Sequence, residues 1–153
     1  MNWLRLFFSL EGRITRLEFW TGIGLIVFFQ LMFQMPAMSS VGIDIEKGSP
    51  PLWFRNLSLA LDTVCAWPLC AVLVKRQADR DQGPRLSLYI VTLLLAFSTL
   101  EAFGFTQQGK DFTPIGYAVG LPLLGLLGVA IVELGVRRGT IGPNRYGPDP
   151  LKG

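Results

Sequence analysis

Apolar residues run through this chain in four long blocks, 19–38, 57–74, 86–105 and 115–134, each 18 to 20 residues long. About 20 residues of helix cross about 30 Å of hydrocarbon, so every block has the length of a membrane span. Helices of a soluble bundle show one apolar and one polar face, whereas IGLIVFFQLMF in the first block and LYIVTLLLAF in the third are apolar all round. The pattern predicts an all-α membrane protein, a single domain over residues 1–153 with four transmembrane helices. A rival reading makes the first block a signal peptide, because Ala37-Met38-Ser39 has the small residues of a cleavage site after a basic start. The block is longer than the usual apolar region of about 7–15 residues and follows a well-formed arm, so we read it as a span.

Polar segments complete the pattern. The arm, residues 1–18, sets Trp3, Leu4, Phe7, Phe8 and Leu10 around Arg5. Too short to cross, it suits a short interfacial helix in the headgroup layer. Gly12 allows a bend, and Thr15-Arg16-Leu17-Glu18 reads as a capping box that starts the first span. Trp20 and Trp53 fall where belt aromatics sit at the two interfaces. Residues 39–56 and the short polar loop 106–114 do not resemble a folded ectodomain. The tail, residues 135–153, gathers Gly139, Gly142, Pro143, Gly147, Pro148 and Pro150, so turns are expected there rather than helix.

Charge then orients the spans. Of 14 lysine and arginine residues, eleven fall in the arm (Arg5, Arg13, Arg16), in the loop between the second and third blocks (Lys75, Arg76, Arg80, Arg85) and in the tail (Arg137, Arg138, Arg145, Lys152). Only Lys47, Arg55 and Lys110 occupy the other two loops. The excess of basic residues in cytoplasmic loops places both termini in the cytoplasm. With acids included the cytoplasmic segments carry +6, the outer loops zero, and the spans −3 through Asp62, Glu101 and Glu133. Composition agrees with lipid as the solvent: half the residues are hydrophobic, 16% are charged and the mean hydropathy is +0.42. Histidine is absent, which removes the usual neutral-pH acid/base group and the commonest metal ligand. Cys65 and Cys70, five residues apart on one helix, point to different faces, which favours buried apolar roles over a disulfide or a zinc site.

Few residues offer chemistry. Asp62 and Glu101 fall near the outer ends of antiparallel spans and at similar depth, where a carboxyl pair can share a proton or bind a cation. The simpler reading, which we favour, puts them at the water boundary, bonded to loop backbone or paired with Arg55 or Lys110. Glu133 precedes Arg137 by four residues, the favoured order for a helical ion pair. Gly116 and Gly120 form a small-xxx-small pattern that packs against another span of this chain or makes a homodimer; the first is the commoner use. The basic middle loop serves as a topological signal and contacts anionic lipid headgroups. A sharper reading has Arg76 or Arg80 pair with Asp79 and hold the loop against arm and tail. No phosphate loop, Ser/His/Asp set or metal-ligand spacing occurs, so no cofactor or metal is expected, and nucleic-acid binding is unsupported.

Two segments are specific. Glu11-Gly12-Arg13-Ile14-Thr15-Arg16-Leu17-Glu18-Phe19-Trp20 resembles the opening pattern x-G-R-x-x-R-x-E-[FY]-W of the small bacterial inner-membrane proteins called domain of unknown function 805, or YhaH-like. Gly139-Thr140-Ile141-Gly142-Pro143-Asn144-Arg145-Tyr146-Gly147-Pro148-Asp149-Pro150 resembles their closing pattern, G-x-x-G-x-N-[RK]-[FY]-G-x-D-P. The resemblance covers nearly the whole chain and implies four spans and a bacterial cytoplasmic-membrane location, with no established activity. In the family's middle loop, [KR]-R-L-H-D-R-[DG]-[KR]-S-G-W-W, this chain matches at Lys75, Arg76, Asp79, Arg80 and Asp81. Gln77 and Ala78 replace the Leu-His pair, and Gly83-Pro84-Arg85 departs from Ser-Gly-Trp. Any proton or metal work of that histidine is closed to this member.

The sequence therefore predicts a cytoplasmic charged network of Arg13, Arg16, Glu18, Arg76, Asp79, Arg80 and Arg145, with Asn144 and Asp149 beside it. Two carboxylates near several guanidinium groups form bidentate hydrogen bonds that lysine reproduces poorly. The function expected is that of a non-enzymatic inner-membrane module contacting the bilayer's anionic headgroups or a membrane protein partner. The alternative is a small proton- or cation-coupled transporter using Asp62 and Glu101.

Overall fold

The structure, a computed structural model, describes residues 2–41, 50–108 and 111–151. Lys47, Lys110 and Lys152, three of the 14 basic residues, and Gly42 and Gly48 of the first outer loop lie outside the described residues. The chain forms a short helix α1 (Trp3–Phe8) and then α2 (Arg16–Val41), α3 (Leu52–Asp79) and α4 (Arg85–Ala102). A two-stranded hairpin, β1 (Gln107–Gln108) with β2 (Asp111–Phe112), leads into α5 (Pro114–Ala130), which ends in a π-helical turn, Ile131–Val136. Four helical stretches, Arg16–Ser39, Leu52–Asp79, Arg85–Ala102 and Pro114–Val136, are long and apolar enough to cross a membrane, the architecture of a multi-pass membrane protein.

Local chemistry explains the ends. The capping box forms: Thr15 N donates to Glu18 Oε2 at 2.9 Å, and Glu18 N donates to Thr15 Oγ1 at 3.2 Å. Thr113 caps α5 by accepting from Gly116 N at 3.1 Å, with Pro114 preset in the first turn. The middle loop is shorter than the charge run suggested, because α3 stays helical to Asp79. Its 28 residues span about 42 Å at 1.5 Å per residue, so the last turns project beyond the hydrocarbon. Asp81 then takes a left-handed conformation (φ 57°), and Gln82 N reaches back to Gln77 O at 3.0 Å to close the helix. Other boundaries also differ, α3 for one starting at Leu52, five residues before its apolar block. The helix of the third apolar block, α4, stops at Ala102, three residues short of the block's end, and loop 106–114 contains the hairpin, pinned where Thr113 N donates to Thr106 O at 2.9 Å.

α3 is the central helix, packed against α1, α2, α4 and the π turn, while α5 lies on α4. The buried apolar cluster, including Leu6, Ile14, Phe19, Val72, Leu73, Ile90 and Leu134, gathers at the end of the bundle that carries the arm and the tail. Elsewhere many large apolar side chains face outward, Phe28, Val64 and Leu124 among them, as lipid-facing positions do. Between helices in lipid, packing is driven by close approach rather than by escape from water, and glycines permit it. A Cβ at Gly22 would lie 3.0 Å from Val72, and one at Gly135 would lie 2.4 Å from Trp20, whose indole N–H donates to Gly135 O at 3.3 Å.

The Gly116 and Gly120 face also has neighbours within the chain. A Cβ at Gly116 would stand 2.4 Å from Thr106 O, and one at Gly120 would stand 3.3 Å from the Phe97 ring. Gly116→Ala is therefore expected to cost about 1–3 kcal/mol of stability by overpacking. Unfolding in mixed micelles reads the loss, and size-exclusion elution should not shift. An altered oligomeric state at unchanged stability would contradict the contact.

Candidate functional site

The long α3 carries Lys75, Arg76 and Asp79 into the space between the arm, the first turn of α2, the π turn and the tail, and all three are buried there. Arg76 and Asp79 are one helical turn apart and share a face, and Arg76 Nη1 donates to Asp79 Oδ2. Arg13, delivered by the bend after Gly12 (φ 92°), donates from Nε and Nη2 to Asp79 Oδ1 at 3.1 and 3.0 Å. Both guanidinium groups are 1% exposed and the Asp79 carboxylate 5%.

One carboxylate between two guanidinium groups leaves a positive excess, and backbone carbonyls offset it. Arg13 Nη1 donates to Gly142 O at 2.7 Å and Gly147 O at 3.3 Å, and Nη2 to Thr140 O at 2.6 Å. Arg76 Nε donates to Leu134 O at 2.7 Å, Nη2 to Arg137 O at 2.8 Å and Nη1 to Ile14 O at 3.3 Å. Leu134 and Arg137 sit where the last helix ends, so their carbonyls belong to its negative pole. Every nitrogen of both guanidinium groups has an acceptor, which is the condition for burying such charge. The tail is fastened from the other side: Thr140 N and Oγ1 donate to Asp79 O at 2.8 and 2.9 Å, and Asn144 Nδ2 donates to Ala78 O at 2.9 Å. Gly139 passes so close that a Cβ there would stand 1.8 Å from Asp79 Oδ2. The result is a clasp joining arm, α3 and tail, in which Asp79 has both oxygens engaged.

The other expected members lie around the clasp rather than in it. Arg16 donates to Val136 O at 3.1 Å, and Glu18 serves the capping box. Arg80 does not pair with Asp79. Just past the end of α3, it meets Glu133 Oε2 at 3.1 Å, and Glu133 also holds Arg137 at 2.5 Å. Arg145 is exposed, paired with Asp81 at 2.9 Å and stacked on Tyr146. Lys75 and Arg76 are likewise buried instead of lying open to lipid, because helix and carbonyl partners enclose them.

These contacts join three segments far apart in sequence, all of them within a stretch that matches a known family. Residues 7–148 match the family described as protein of unknown function (DUF805). The chain belongs to the DUF805 family. The uncharacterized protein YiiR of Escherichia coli strain K12 is 35% identical over 153 residues, covering 97% of this chain and 88% of its own, and YiiR of strain O157:H7 matches equally. No solved structure matches. In this DUF805 protein the opening and closing motifs and the middle segment meet at Asp79. Ala78 lines a cavity of about 450 Å3 next to the clasp.

At the opposite end of the bundle the two acids have different partners, although their charges act on one another. Asp62 accepts from Gln30 Nε2 at 2.7 Å and Ser98 Oγ at 2.5 Å, tying α2, α3 and α4 together. Neither bond involves Glu101, which lines a small crevice with Arg55, Gly104 and Thr106. Among the described residues no cluster of His, Cys, Asp and Glu has the makings of a metal site.

Several contributors were not singled out from the sequence. Lys75 Nζ donates to Arg5 O at 2.6 Å and to Leu6 O, holding the end of α1 on α3. The Gln77 amide and the Ser87 hydroxyl, both buried, hydrogen-bond at 2.8 Å between α3 and α4. Polar residues recurring in the last turn of a long apolar helix were the available signal, and they resembled an ordinary solvated loop.

Proposed function

We propose that this protein is a non-enzymatic module of the bacterial inner membrane, with its basic end in the cytoplasm holding anionic lipid headgroups. A division among the arginines carries the reading. Arg13 and Arg76 are enclosed in the clasp, whereas Arg5, Arg16, Arg85, Arg137 and Arg138 remain exposed around it. Beside them α1 exposes Trp3, Leu4 and Phe8, the side chains of a helix resting in the headgroup layer. Each basic residue near an anionic surface contributes about 1 kcal/mol. The buried clasp holds the arm and tail in place so that this rim is presented as one surface.

Two measurements test it. In a variant lacking Cys65 and Cys70, Ser9→Cys should react with a membrane-impermeant thiol reagent only from the cytoplasmic side; labelling from the periplasm overturns the orientation. Native mass spectrometry should show delipidated protein retaining phosphatidylglycerol over phosphatidylcholine. Combining Arg5→Gln, Arg85→Gln and Arg138→Gln should reduce that preference by about fivefold or more. Equal retention by both proteins would sink the lipid reading.

A second reading, a small proton- or cation-coupled transporter, is favoured by the Asp62 carboxylate bridging Gln30 and Ser98 across three spans. Asp62→Asn should then abolish proton-driven flux in proteoliposomes. Absence of flux with the native protein overturns it.

A further inference from the structure

We infer that the cleft between the arm, the end of α3 and the tail binds a phosphoethanolamine zwitterion, as a lipid headgroup or as the free molecule. Two adjoining cavities of about 320 and 450 Å3 open there and share Arg5, Glu11, Gly12 and Pro148 in their walls. That is the size range of small-molecule sites.

The charged groups in the walls divide into those already engaged and those still available. Arg13 has an acceptor at each guanidinium nitrogen, and Glu18 turns Oε2 to Thr15. The Arg5 guanidinium and the Glu11 carboxylate have no hydrogen-bond partner among the described residues, and both residues are exposed. Lys75, 2% exposed, gives two of its three ammonium protons to Arg5 O and Leu6 O, which leaves one donor at the wall of the first cavity. The cleft thus offers two cations and the unengaged Glu11 carboxylate, with the Glu18 carboxylate also in the wall of the first cavity, on otherwise largely apolar walls that include Leu6, Leu10, Ile14 and Val74.

This set fits a ligand with charges of both signs. A phosphate takes a bidentate contact from Arg5 and one hydrogen bond from Lys75. A purely anionic headgroup would then face Glu11 without compensation, whereas a primary ammonium donates hydrogen bonds to it. A quaternary choline has no such proton to give. Selection of the zwitterion goes beyond the general attraction of the basic rim, and it rests on the headgroup reading only for where the ligand comes from.

Titration calorimetry on the full chain in detergent, with short-chain lipids as probes, keeps the two proposals apart. Dihexanoyl phosphatidylethanolamine should bind about tenfold more tightly than the phosphatidylglycerol or phosphatidylcholine analogues. Glu11→Gln should weaken it by about tenfold without weakening phosphatidylglycerol, whereas Arg5→Gln should weaken both. Free O-phosphoethanolamine binding as tightly as the lipid would assign the site to the soluble zwitterion, and binding about tenfold more weakly would assign it to the headgroup. Equal affinity for the ethanolamine and glycerol lipids, or no effect of Glu11→Gln, overturns the proposal even if the rim still attracts anionic lipid.

Discussion

Asp79→Ala is expected to lower the unfolding free energy by about 3–5 kcal/mol, the cost of removing one partner from a buried ionic group. The variant strands two guanidinium groups, Arg13 and Arg76, whose side chains are 1% exposed and which water reaches only if the clasp opens. Their carbonyl partners remain, but these were balancing an excess of one charge and would now face two. Unfolding in mixed micelles measures the loss. A double-mutant cycle of Asp79→Asn with Arg13→Gln should depart from additivity by well over about 0.5 kcal/mol, because the two side chains share two hydrogen bonds. Additivity within that margin would show that they do not interact. Arg145→Ala provides the contrast: its bridge to Asp81 is exposed on both sides, so the cost should stay below about 1 kcal/mol.

Gly139→Ala is expected to release the tail, although it adds a single methyl group. That Cβ would stand 1.8, 2.5 and 2.8 Å from Asp79 Oδ2, Cγ and Oδ1, and the carboxylate cannot retreat because Arg13 and Arg76 hold it from two directions. The backbone at Gly139 must move instead, which breaks the bonds from Thr140 to Asp79 O and pulls the tail carbonyls off Arg13. Overpacking costs typically about 1–3 kcal/mol where neighbours yield, and this site should lie at or above the upper end. Trypsin cleavage after Arg138 should accelerate by about tenfold or more, since it requires the undocked tail. A native cleavage rate would show that Gly139 is not a point of attachment. Gly125→Ala is the matched control: a Cβ there meets nothing within 4 Å, so stability should hold or rise.

Both effects arise where sequence reasoning was least complete. Arg13, Arg76 and Asp79 stood out by charge, yet the same residues were compatible with a solvated loop marking the cytoplasmic side. The pairing of Arg80 with Glu133 instead of Asp79 depends on how far the α3 helix continues and on where the π turn sets Glu133. Glycines give a similar lesson. A small-xxx-small pattern drew attention to Gly116 and Gly120, but Gly139, in a turn-rich tail where glycine is unremarkable, makes the tightest approach.

Run length, local capping and the bias of basic residues are properties of neighbouring positions. Four membrane-length helices, the capping box at Thr15 and Glu18, the Glu133 to Arg137 pair and the turn-rich tail were therefore legible from residue order alone. Burial of a charge is not such a property. Arg76 and Arg13 are enclosed because carbonyls 58 to 134 residues away complete their shells. Which arginines became internal fastenings and which stayed on the surface was set by folding, because enclosing a whole guanidinium is least costly where acceptors meet its nitrogens, as they do at Arg13 and Arg76.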